Sequence, residues 1–328
     1  MIFLMRKIVP ATTVRTFPPA CFQNSLTKNE PMTTKTRLFT ILIGLATAGS
    51  LSAATLPSVT SGTAFLHLDG SGIDATGGPG GTLRWTDNIS GVNFDLSGPL
   101  GTSPTQESVT VNGFARQAVR FPGGDSALTS TTNLQLFPTS SSGLTAFVLF
   151  DVDSNAGQKF VFNQGVSAPF PGNNFEIGID TGVGAGDGNF GLHKGHGNAT
   201  IAPAGTILSD TFTLTTITVL PAGNSPANVT IHQDGTALSL ANDNQGYLNA
   251  GSYATDFRPI DIGGRNDGAT GNFNSLHDGD IVEVVIYQGA LTDADRMAVE
   301  AALLVPEPSA FVLAALGLLP LGLRRRRN

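Results

Sequence analysis

Short stretches in which apolar and polar residues alternate run through the middle of the chain, and turn-forming residues separate them. A period of two puts successive side chains on opposite faces, so these stretches predict β-strands. The Asp-Gly pair within Gln233–Thr236 predicts a tight hairpin. The pattern as a whole predicts an all-β fold, a two-sheet antiparallel jelly-roll sandwich. The predicted strands are Thr63–Asp69, Gln117–Phe121, Leu144–Asp151, Gln158–Asn163, Asn174–Asp180, Thr211–Val219, Asn228–His232 and Asp280–Tyr287.

One short helix is predicted at the end of this region. Thr292 and Asp295 have the spacing of a capping box, with Asp in place of the usual Glu, and acidic residues suit the positive end of a helix dipole. Apolar residues recur behind them at helical spacing, and we expect this face to pack on the sandwich. These residues are Ala294, Met297, Ala298 and Ala301.

The beginning of the chain has the order of a secretory signal. Met32–Arg37 carries basic residues, Leu38–Ala48 is apolar, and Ser52–Ala54 offers small residues for cleavage. This order predicts a signal peptide over residues 32–54, with signal peptidase and the secretion machinery as partners. Residues 1–31 lack the order, which leaves two interpretations open: a translation start assigned too early, or a genuine long leader.

The chain ends in an apolar segment between two prolines and four arginines. Ala310–Leu323 carries no charge. As a helix rising about 1.5 Å per residue it spans ~21 Å, against ~30 Å of hydrocarbon core. Arginines stay on the cytoplasmic side, so we expect a marginal transmembrane helix with the preceding chain across the membrane. A buried core helix is the alternative, although it would have to contain Pro320. The flanking residues are Pro306, Glu307, Pro308, Arg324, Arg325, Arg326 and Arg327.

Val-Pro-Glu-Pro, an apolar helix and a terminal arginine cluster, in that order, resemble the PEP-CTERM sorting signal of Gram-negative bacteria that make exopolysaccharide. The resemblance covers Val305–Asn328. It implies an exosortase-type membrane protease that recognises Pro306–Pro308 and removes the tail. The protein would then be tethered to the inner membrane before processing, and would end at the cell surface or in the extracellular matrix.

The remaining region, residues 55–304, is long enough for one domain with a sizeable core. It carries eight basic and 23 acidic residues, a net charge of −15. Such a surface excludes nucleic acid as a partner, whereas neutral glycans and divalent cations remain acceptable. Cys21, the sole cysteine, precedes the predicted signal peptide, so the domain has neither disulfides nor thiolate chemistry.

Several stretches of this domain follow one another in a recognisable order. They are Trp85–Asp87 with Ser90–Gly91, then Val111–Gly113, Ala118–Gly124, Asp261–Arg265 and Gly279–Tyr287 before the capped helix. Together they resemble the LamG-like, concanavalin A-like jelly rolls of secreted bacterial proteins. The resemblance implies a lectin-like sandwich in which one sheet curves around a glycan, with a calcium ion in some members. It does not imply one ligand, because function lies in loops carried by the fold.

A carboxylate pair for glycan cleavage is not evident on any single strand. Laminarinase-like enzymes of this architecture carry Glu-x-Asp-x-Glu, and the nearest stretch, Glu176–Asp180, has Gly178 at its centre. Its ends lie ~13 Å apart at ~3.3 Å per residue, against about 5–5.5 Å for a retaining pair. We therefore expect Glu176 and Asp180 to be solvent-facing strand residues and the protein not to be an enzyme.

Two stretches could hold a metal ion. His193 and His196 flank Lys194 in a Gly-rich loop without a third ligand nearby, which indicates an exposed loop rather than a zinc site. Aspartates make up 19 of the 23 acidic residues of the domain, and many adjoin Gly or Asn. That pattern suits calcium, but it equally suits turn formation, and both interpretations stay open. The calcium candidates are Asp125, Asp267, Asp278 and Asp280.

Three functions compete at this point. The leading hypothesis is an exported, non-catalytic surface or matrix protein whose sandwich binds or associates with extracellular polysaccharide. The second is a purely structural adhesion protein without a glycan ligand, and the third is a degenerate glycoside hydrolase. The domain has one Trp and few Tyr to stack on sugar faces, which weakens the lectin hypothesis.

Overall fold

The computed structural model describes residues 55–97, 102–124, 127–139, 142–164, 175–179, 188–193, 199–203, 205–220, 228–243, 257–266 and 273–304. The chain divides into two units, Met1–Ala48 and Gly49–Asn328, and every described residue belongs to the second. The predicted signal peptide, the stretch before it and the predicted sorting tail all lie outside the described residues. Where the structure describes the chain, it contains no helix of the length and apolar character needed to cross a membrane.

The described residues form twenty strands and one α-helix, α1, over Asp293–Leu304. The first ten strands are β1 (Thr63–Leu68), β2 (Ile73–Asp74), β3 (Arg84–Thr86), β4 (Asn93–Ser97), β5 (Thr105–Val111), β6 (Phe114–Pro122), β7 (Ala127–Ser130), β8 (Leu144–Phe150), β9 (Lys159–Gln164) and β10 (Phe175–Ile179). The others are β11 (Phe190–His193), β12 (Ala199–Ile201), β13 (Thr213–Val219), β14 (Val229–Gln233), β15 (Thr236–Ala237), β16 (Ala241–Asp243), β17 (Ile260–Ile262), β18 (Arg265–Asn266), β19 (Phe273–Asn274) and β20 (Asp278–Gln288). Each of the eight predicted strands is confirmed, seven of them within two residues at either end, whereas β6 begins three residues before the predicted Gln117.

These strands build two large antiparallel sheets. Sheet A has the order β15-β14-β13-β8-β20-β6-β5, and β1 also pairs with β20. Sheet B has the order β16-β12-β11-β10-β9-β17-β7-β4-β3-β2. A small ribbon joins β18 to β19. The predicted all-β architecture of two antiparallel sheets is thus confirmed.

The main core lies between the two sheets. Leu66 and Val284 of sheet A belong to the same buried cluster as Phe162 and Ile262 of sheet B, and all four are fully buried. Burying one such side chain is worth roughly 1.5–3 kcal/mol, so this layer supplies the main driving force for stacking the sheets. The arrangement is a β-sandwich.

Helix α1 covers part of the outer face of sheet A, the face turned away from this core. Val299 and Leu303 of the helix pack with Phe147, Val285 and Tyr287 in a second buried cluster. The predicted cap is confirmed, since the Asp295 backbone N–H donates to Thr292 Oγ1 at 3.3 Å. The second hydrogen bond of a capping box, from the backbone N–H of the N-cap residue to the N3 carboxylate, is replaced here. The Asp295 carboxylate instead accepts hydrogen bonds from the Ser61 backbone and hydroxyl.

The predicted packing face of α1 is wrong. Ala294, Met297, Ala298 and Ala301 are exposed, and the buried residues are Arg296, Val299, Glu300 and Leu303. Polar residues occupy the buried face because they satisfy one another: Arg296 Nη1 donates to Glu300 Oε2 at 2.6 Å. The Thr216 hydroxyl of β13 donates to Glu300 Oε1 at 2.7 Å, which ties the pair to sheet A.

The predicted Asp-Gly hairpin is present between β14 and β15. Asp234 and Gly235 have φ of 47° and 80°, the two positive values that a type I′ turn requires. The Asn-Gly pair between β5 and β6 behaves alike, since Asn112 and Gly113 have φ of 51° and 83°. Both hairpins lie in sheet A, and each fixes the register of the strands that it joins.

Candidate functional site

A row of polar residues crosses the outer face of sheet B. The backbone register aligns Glu176 with Asn163, Asn163 with Asp261, and Asp261 with Thr129. Thr129 in turn aligns with Asp95. Because side chains directly opposite one another share a face, these five residues form one line, which we call the polar row. It consists of Asp95 (β4), Thr129 (β7), Asp261 (β17), Asn163 (β9) and Glu176 (β10).

The apolar neighbours of the polar row fix its direction. Ile260 and Ile262 flank Asp261 on β17 and belong to the main core, so Asp261 points to the opposite face. Ile177 beside Glu176 and Phe162 beside Asn163 have the same role. Strand alternation alone therefore directs the polar row away from the core.

Asp261 is the most firmly held member of the polar row. It is fully buried, Thr129 Oγ1 donates to its Oδ1 at 2.7 Å, and Asn163 Nδ2 donates to its Oδ2 at 2.8 Å. A buried carboxylate is costly unless hydrogen bonds replace its water, and here both oxygens accept one. The two donors also fix the plane of the carboxylate. Asp261 is therefore an acceptor of defined orientation.

Glu176 lies two strands from Asp261 and faces an arginine. Its side chain is 1% exposed, and Arg265 Nη1 lies 3.7 Å from Glu176 Oε2. The Arg265 guanidinium also lies 5.1 Å from the centre of the Phe160 ring, a cation–π contact that restrains it. Gly263, with φ of 81°, makes the turn from β17 towards β18. This turn brings Arg265 to the same face as the polar row.

The row continues at both ends. Arg84 on β3 is in register with Asp95 and binds it through two hydrogen bonds, Nε to Oδ1 at 2.7 Å and Nη2 to Oδ2 at 2.9 Å. On the other side the register places His193 of β11 beside Glu176. The outer face of sheet B thus carries carboxylates, an amide, a hydroxyl and guanidinium groups, which is the donor and acceptor inventory that sugar hydroxyls require.

Sequence reasoning placed Glu176 incorrectly and missed its partners. The prediction that Glu176 faces solvent is wrong, because the structure buries it, and Asp180 lies outside the described residues. The other fully buried carboxylate of the polar row is Asp261, on another strand of the sheet rather than on β10. A signal was present, since Asp261 and Arg265 belong to the Asp-Ile-Gly-Gly-Arg stretch noted for its resemblance.

A second polar cluster lies on the outer face of sheet A. His67 Nε2 is 2.8 Å from Glu283 Oε1 and 3.5 Å from Asp69 Oδ2, and Arg116 Nη1 is 2.9 Å from Glu283 Oε2. Burial lowers the pKa of His67, but the hydrogen bond and the charge of Glu283 outweigh burial, so its net pKa is raised. Sequence reasoning missed this cluster, although the His-x-Asp spacing on a strand places both residues on one face.

Two of the calcium candidates face basic side chains. Asp278 Oδ1 lies 3.6 Å from Lys159 Nζ, and Asp280 Oδ2 lies 3.5 Å from Arg120 Nη1. Burial and the neighbouring Asp151 carboxylate raise the pKa of Asp280 to about 6, against Arg120. Asp125 and Asp267 lie outside the described residues, as does His196. Calcium binding at these positions stays a prediction.

Of the described side chains, His67, Asp69 and Glu283 are the group whose ligand atoms could surround one metal ion.

No protein-family model and no curated protein matches this chain. Similar solved structures include domain 4 of a GH43 extracellular arabinanase from Geobacillus stearothermophilus, in complex with arabinotriose. It is 12% identical with a TM-score of 0.49, covering 74% of this chain and 99% of that one. An arabinofuranosidase complexed with arabinofuranosyl-alpha-1,2-xylobiose is 14% identical with a TM-score of 0.47. The match covers 76% of this chain and 60% of the arabinofuranosidase. Trypanosoma rangeli sialidase is 11% identical with a TM-score of 0.44. The match covers 82% of this chain and 39% of the sialidase.

These comparisons overturn the predicted function. The similar structures come from a GH43 arabinanase, of which one domain matches, an arabinofuranosidase and a sialidase, and they contradict the expectations of a non-catalytic matrix protein and of no enzyme. Likenesses of 11–14% identity and TM-scores below 0.5 assign neither residues nor a substrate. The chain spans 60% of the arabinofuranosidase and 39% of the sialidase. An assignment of function therefore rests on the polar row.

Proposed function

We propose that the protein is a glycoside hydrolase that acts on a neutral glycan at the outer face of sheet B, with Glu176 and Asp261 as its two carboxylates. The observation that carries the proposal is their placement: two buried carboxylates on one face, in one row, separated by a single strand. Two steps across an antiparallel sheet span about 10 Å between Cα atoms. Side chains on one face of a sheet run roughly parallel, so the carboxyl groups have a comparable separation, nearer to the ~6.5–9.5 Å of an inverting pair than to the ~5–5.5 Å of a retaining pair.

The hydrogen bonds to Asp261 assign its role, and the other role falls to Glu176. Asp261 accepts from Thr129 and Asn163, which fix the plane of its carboxylate, and it acts as general base on a water molecule. Glu176 acts as general acid on the leaving oxygen. In the reaction, the oxygen of that water attacks the anomeric carbon and its proton passes to Asp261. The glycosidic C–O bond breaks while Glu176 protonates the departing oxygen. The net charge of −15 over residues 55–304 favours neutral over acidic glycans.

A panel of neutral polysaccharides tests the activity, with released reducing ends as the measurement. Glu176→Gln and Asp261→Asn should each reduce hydrolysis by at least about 100-fold, the usual contribution of one acid–base group. Glu107→Gln, an exposed carboxylate of β5 on sheet A, is the matched control and should leave the rate unchanged. NMR of the first product should show inversion at the anomeric carbon.

The two variants should also differ from each other. An aryl glycoside with a good leaving group does not need protonation, so Glu176→Gln should retain activity on it while Asp261→Asn should not. Absence of hydrolysis across the panel by the wild-type protein, or equal activity of wild type and Asp261→Asn, would rule out the proposal.

We also propose the finer fold and the sorting route that the sequence indicates. The domain over residues 55–304 is a LamG-like, concanavalin A-like jelly roll, exported through a signal peptide over 32–54. The Val305–Asn328 segment is a PEP-CTERM signal that tethers the protein to the inner membrane until an exosortase-type protease removes it. The order of proline bracket, apolar run and arginine cluster supports this route.

Replacing Pro306 and Pro308 with Ala tests the sorting route. Two prolines hold the backbone extended around Glu307, and alanines would let the apolar helix continue through it. The double variant should remain uncleaved in the inner membrane, as seen by mass spectrometry of membrane and secreted fractions. Trimming and release of the variant at the wild-type level would refute this route without bearing on hydrolysis.

A further inference from the structure

The cluster on the outer face of sheet A forms where a long strand changes partner. β20 pairs with β6 up to Ile281 and with β1 from Val284 onwards. Glu283 lies between these two pairings, at an irregularity in the register with β8. His67 from β1 and Arg116 from β6 both reach its carboxylate from this junction. The junction is therefore a built site in which side chains from three strands converge.

The side chains at this junction are almost completely buried. The exposed fractions of the His67, Asp69 and Glu283 side chains are 6%, 3% and 2%. Asp69 Oδ1 accepts from the backbone and hydroxyl of Ser71, whereas Asp69 Oδ2 has no hydrogen-bond partner among the described residues and lies 3.5 Å from His67 Nε2. A buried carboxylate oxygen without a hydrogen bond is expensive. This oxygen is directed into the cluster, where a cation would satisfy it.

The charges around the junction also favour the binding of a cation. Asp87 is 1% exposed and accepts the backbone N–H of His67 at 2.7 Å, so it adds a third buried carboxylate to those of Asp69 and Glu283. Within the described part of the chain, Arg116 is the guanidinium bonded to this group. With His67 neutral, as a metal ligand must be, three carboxylates against Arg116 leave two negative charges, which one divalent cation would balance.

We propose that His67 Nε2, Asp69 Oδ2 and Glu283 Oε1 bind one divalent transition-metal ion, Zn²⁺. An imidazole with two carboxylates is a donor set for zinc, whereas calcium takes oxygen ligands alone. Ligands at about 2.1 Å in a tetrahedron are separated by about 3.4 Å. The 3.5 Å between Asp69 Oδ2 and His67 Nε2 already matches that separation. The 2.8 Å hydrogen bond between His67 and Glu283 opens by roughly 0.6 Å when the ion replaces it.

Second contacts hold the two carboxylate ligands in position. Arg116 binds the other oxygen of Glu283, and Ser71 binds the other oxygen of Asp69. Such outer contacts orient metal ligands and raise affinity. The site lies on sheet A and the polar row on sheet B, so the proposal is independent of the proposed hydrolase activity. Its role is to fasten β1 and the loop after it to β20.

The test uses the full-length protein without an affinity tag, stripped with chelator and exchanged into a non-coordinating buffer. Titration with Zn²⁺ alone should show one ion per chain and a rise in melting temperature that chelator reverses. Co²⁺ should give the visible absorption of a four-coordinate site, and X-ray absorption of the zinc form should show one imidazole among oxygen ligands. Calcium at the same concentration should produce none of these signals.

Asp69→Asn is the decisive variant. It retains the oxygen that accepts from Ser71 and replaces the unpartnered oxygen with an amide that cannot bind a cation, so zinc affinity should fall more than about 10-fold. His232→Gln, on β14 and outside the cluster, is the control for adventitious histidine binding. Equal zinc affinity in wild type and Asp69→Asn, or no saturable binding by the wild type, overturns the proposal. If Asp69→Asn fails to fold, the X-ray absorption of wild type decides it, because a shell without imidazole would exclude this site.

Discussion

His277 should account for much of the acid sensitivity of this protein. Its ring is fully buried, with its centre 6.0 Å from that of Phe121 and 5.9 Å from that of Phe150, both edge-on. Burial, with the positive charges of Lys159 and Arg120, lowers the pKa of His277 from 6.5 to about 3. Asp151 and Asp153 oppose the shift without reversing it. The folded protein therefore holds a neutral imidazole where the unfolded chain takes up a proton.

The direction and size of the effect follow from that difference. A lowered histidine pKa gives stability that is complete above pH 6.5 and is lost as the pH falls towards 3. At pH 5, about 1.5 units below the unfolded pKa, the histidine of the unfolded chain is protonated and that of the folded protein is not. At about 1.36 kcal/mol per pH unit, this difference lowers the free energy of unfolding by about 2 kcal/mol. His277→Phe keeps an aromatic ring between Phe121 and Phe150 but cannot titrate. The free energy lost between pH 8 and pH 5 should shrink by about 2 kcal/mol in the variant.

Urea unfolding at the two pH values measures this directly. Trp85, the sole tryptophan of the chain, is fully buried in the main core, so its fluorescence reports global unfolding. Any cost of repacking a Phe appears equally at both pH values and cancels in the difference. The reasoning is refuted if wild type and His277→Phe lose the same free energy between pH 8 and pH 5.

Other substitutions test different parts of the account. Asp280→Asn should make the free energy of unfolding fall more steeply as the pH is lowered. The raised pKa of Asp280 stabilises the fold at low pH, and this stabilisation is lost as the pH rises through about 6. Urea unfolding midpoints at several pH values measure the difference. Glu300→Ala should cost about 3–5 kcal/mol in urea unfolding because it strands the buried Arg296. Gly263→Ala should lower both the melting temperature and hydrolysis, since φ is 81° and a Cβ would overlap the Phe121 ring. Truncation after Leu304 should leave the melting temperature unchanged, and a large fall would place the tail in the core.

Strand length explains which elements the sequence predicted. The predicted strands, such as β8 over Leu144–Phe150 and β20 over Asp278–Gln288, have seven and eleven residues and carry a legible pattern. The missed ones are mostly short, and β2, β15 and β18 have two residues each. Two residues cannot show a period, so only tertiary pairing reveals them. Alternation predicted the sandwich, but the edges of sheet B could not be predicted.

The predictions for the packing face of α1 and for the surroundings of Glu176 were wrong for a different reason. On α1 the apolar residues at helical spacing are exposed, because the buried Arg296–Glu300 pair and Thr216 satisfy one another where alanines would leave a gap. For the polar row, sequence reasoning looked for a partner of Glu176 along its own strand. The partner, Asp261, is 85 residues away and reaches Glu176 only through the register of β9. The stretch that contains Asp261 is recognisable in the sequence, but nothing local indicates that it lies close to Glu176.

The position of the polar row links the proposed chemistry to the stability of the sandwich. Asp261 lies between Ile260 and Ile262, which are fully buried in the main core, so a rotation of β17 that displaces the carboxylate must also expose two isoleucines. Each isoleucine contributes roughly 1.5–3 kcal/mol of burial, and this resists such a rotation. Thr129 and Asn163, the donors to Asp261, lie on the two strands that flank β17. A carboxylate held by its own strand and by both neighbours is preorganised without a loop, which is the geometry that acid–base catalysis requires.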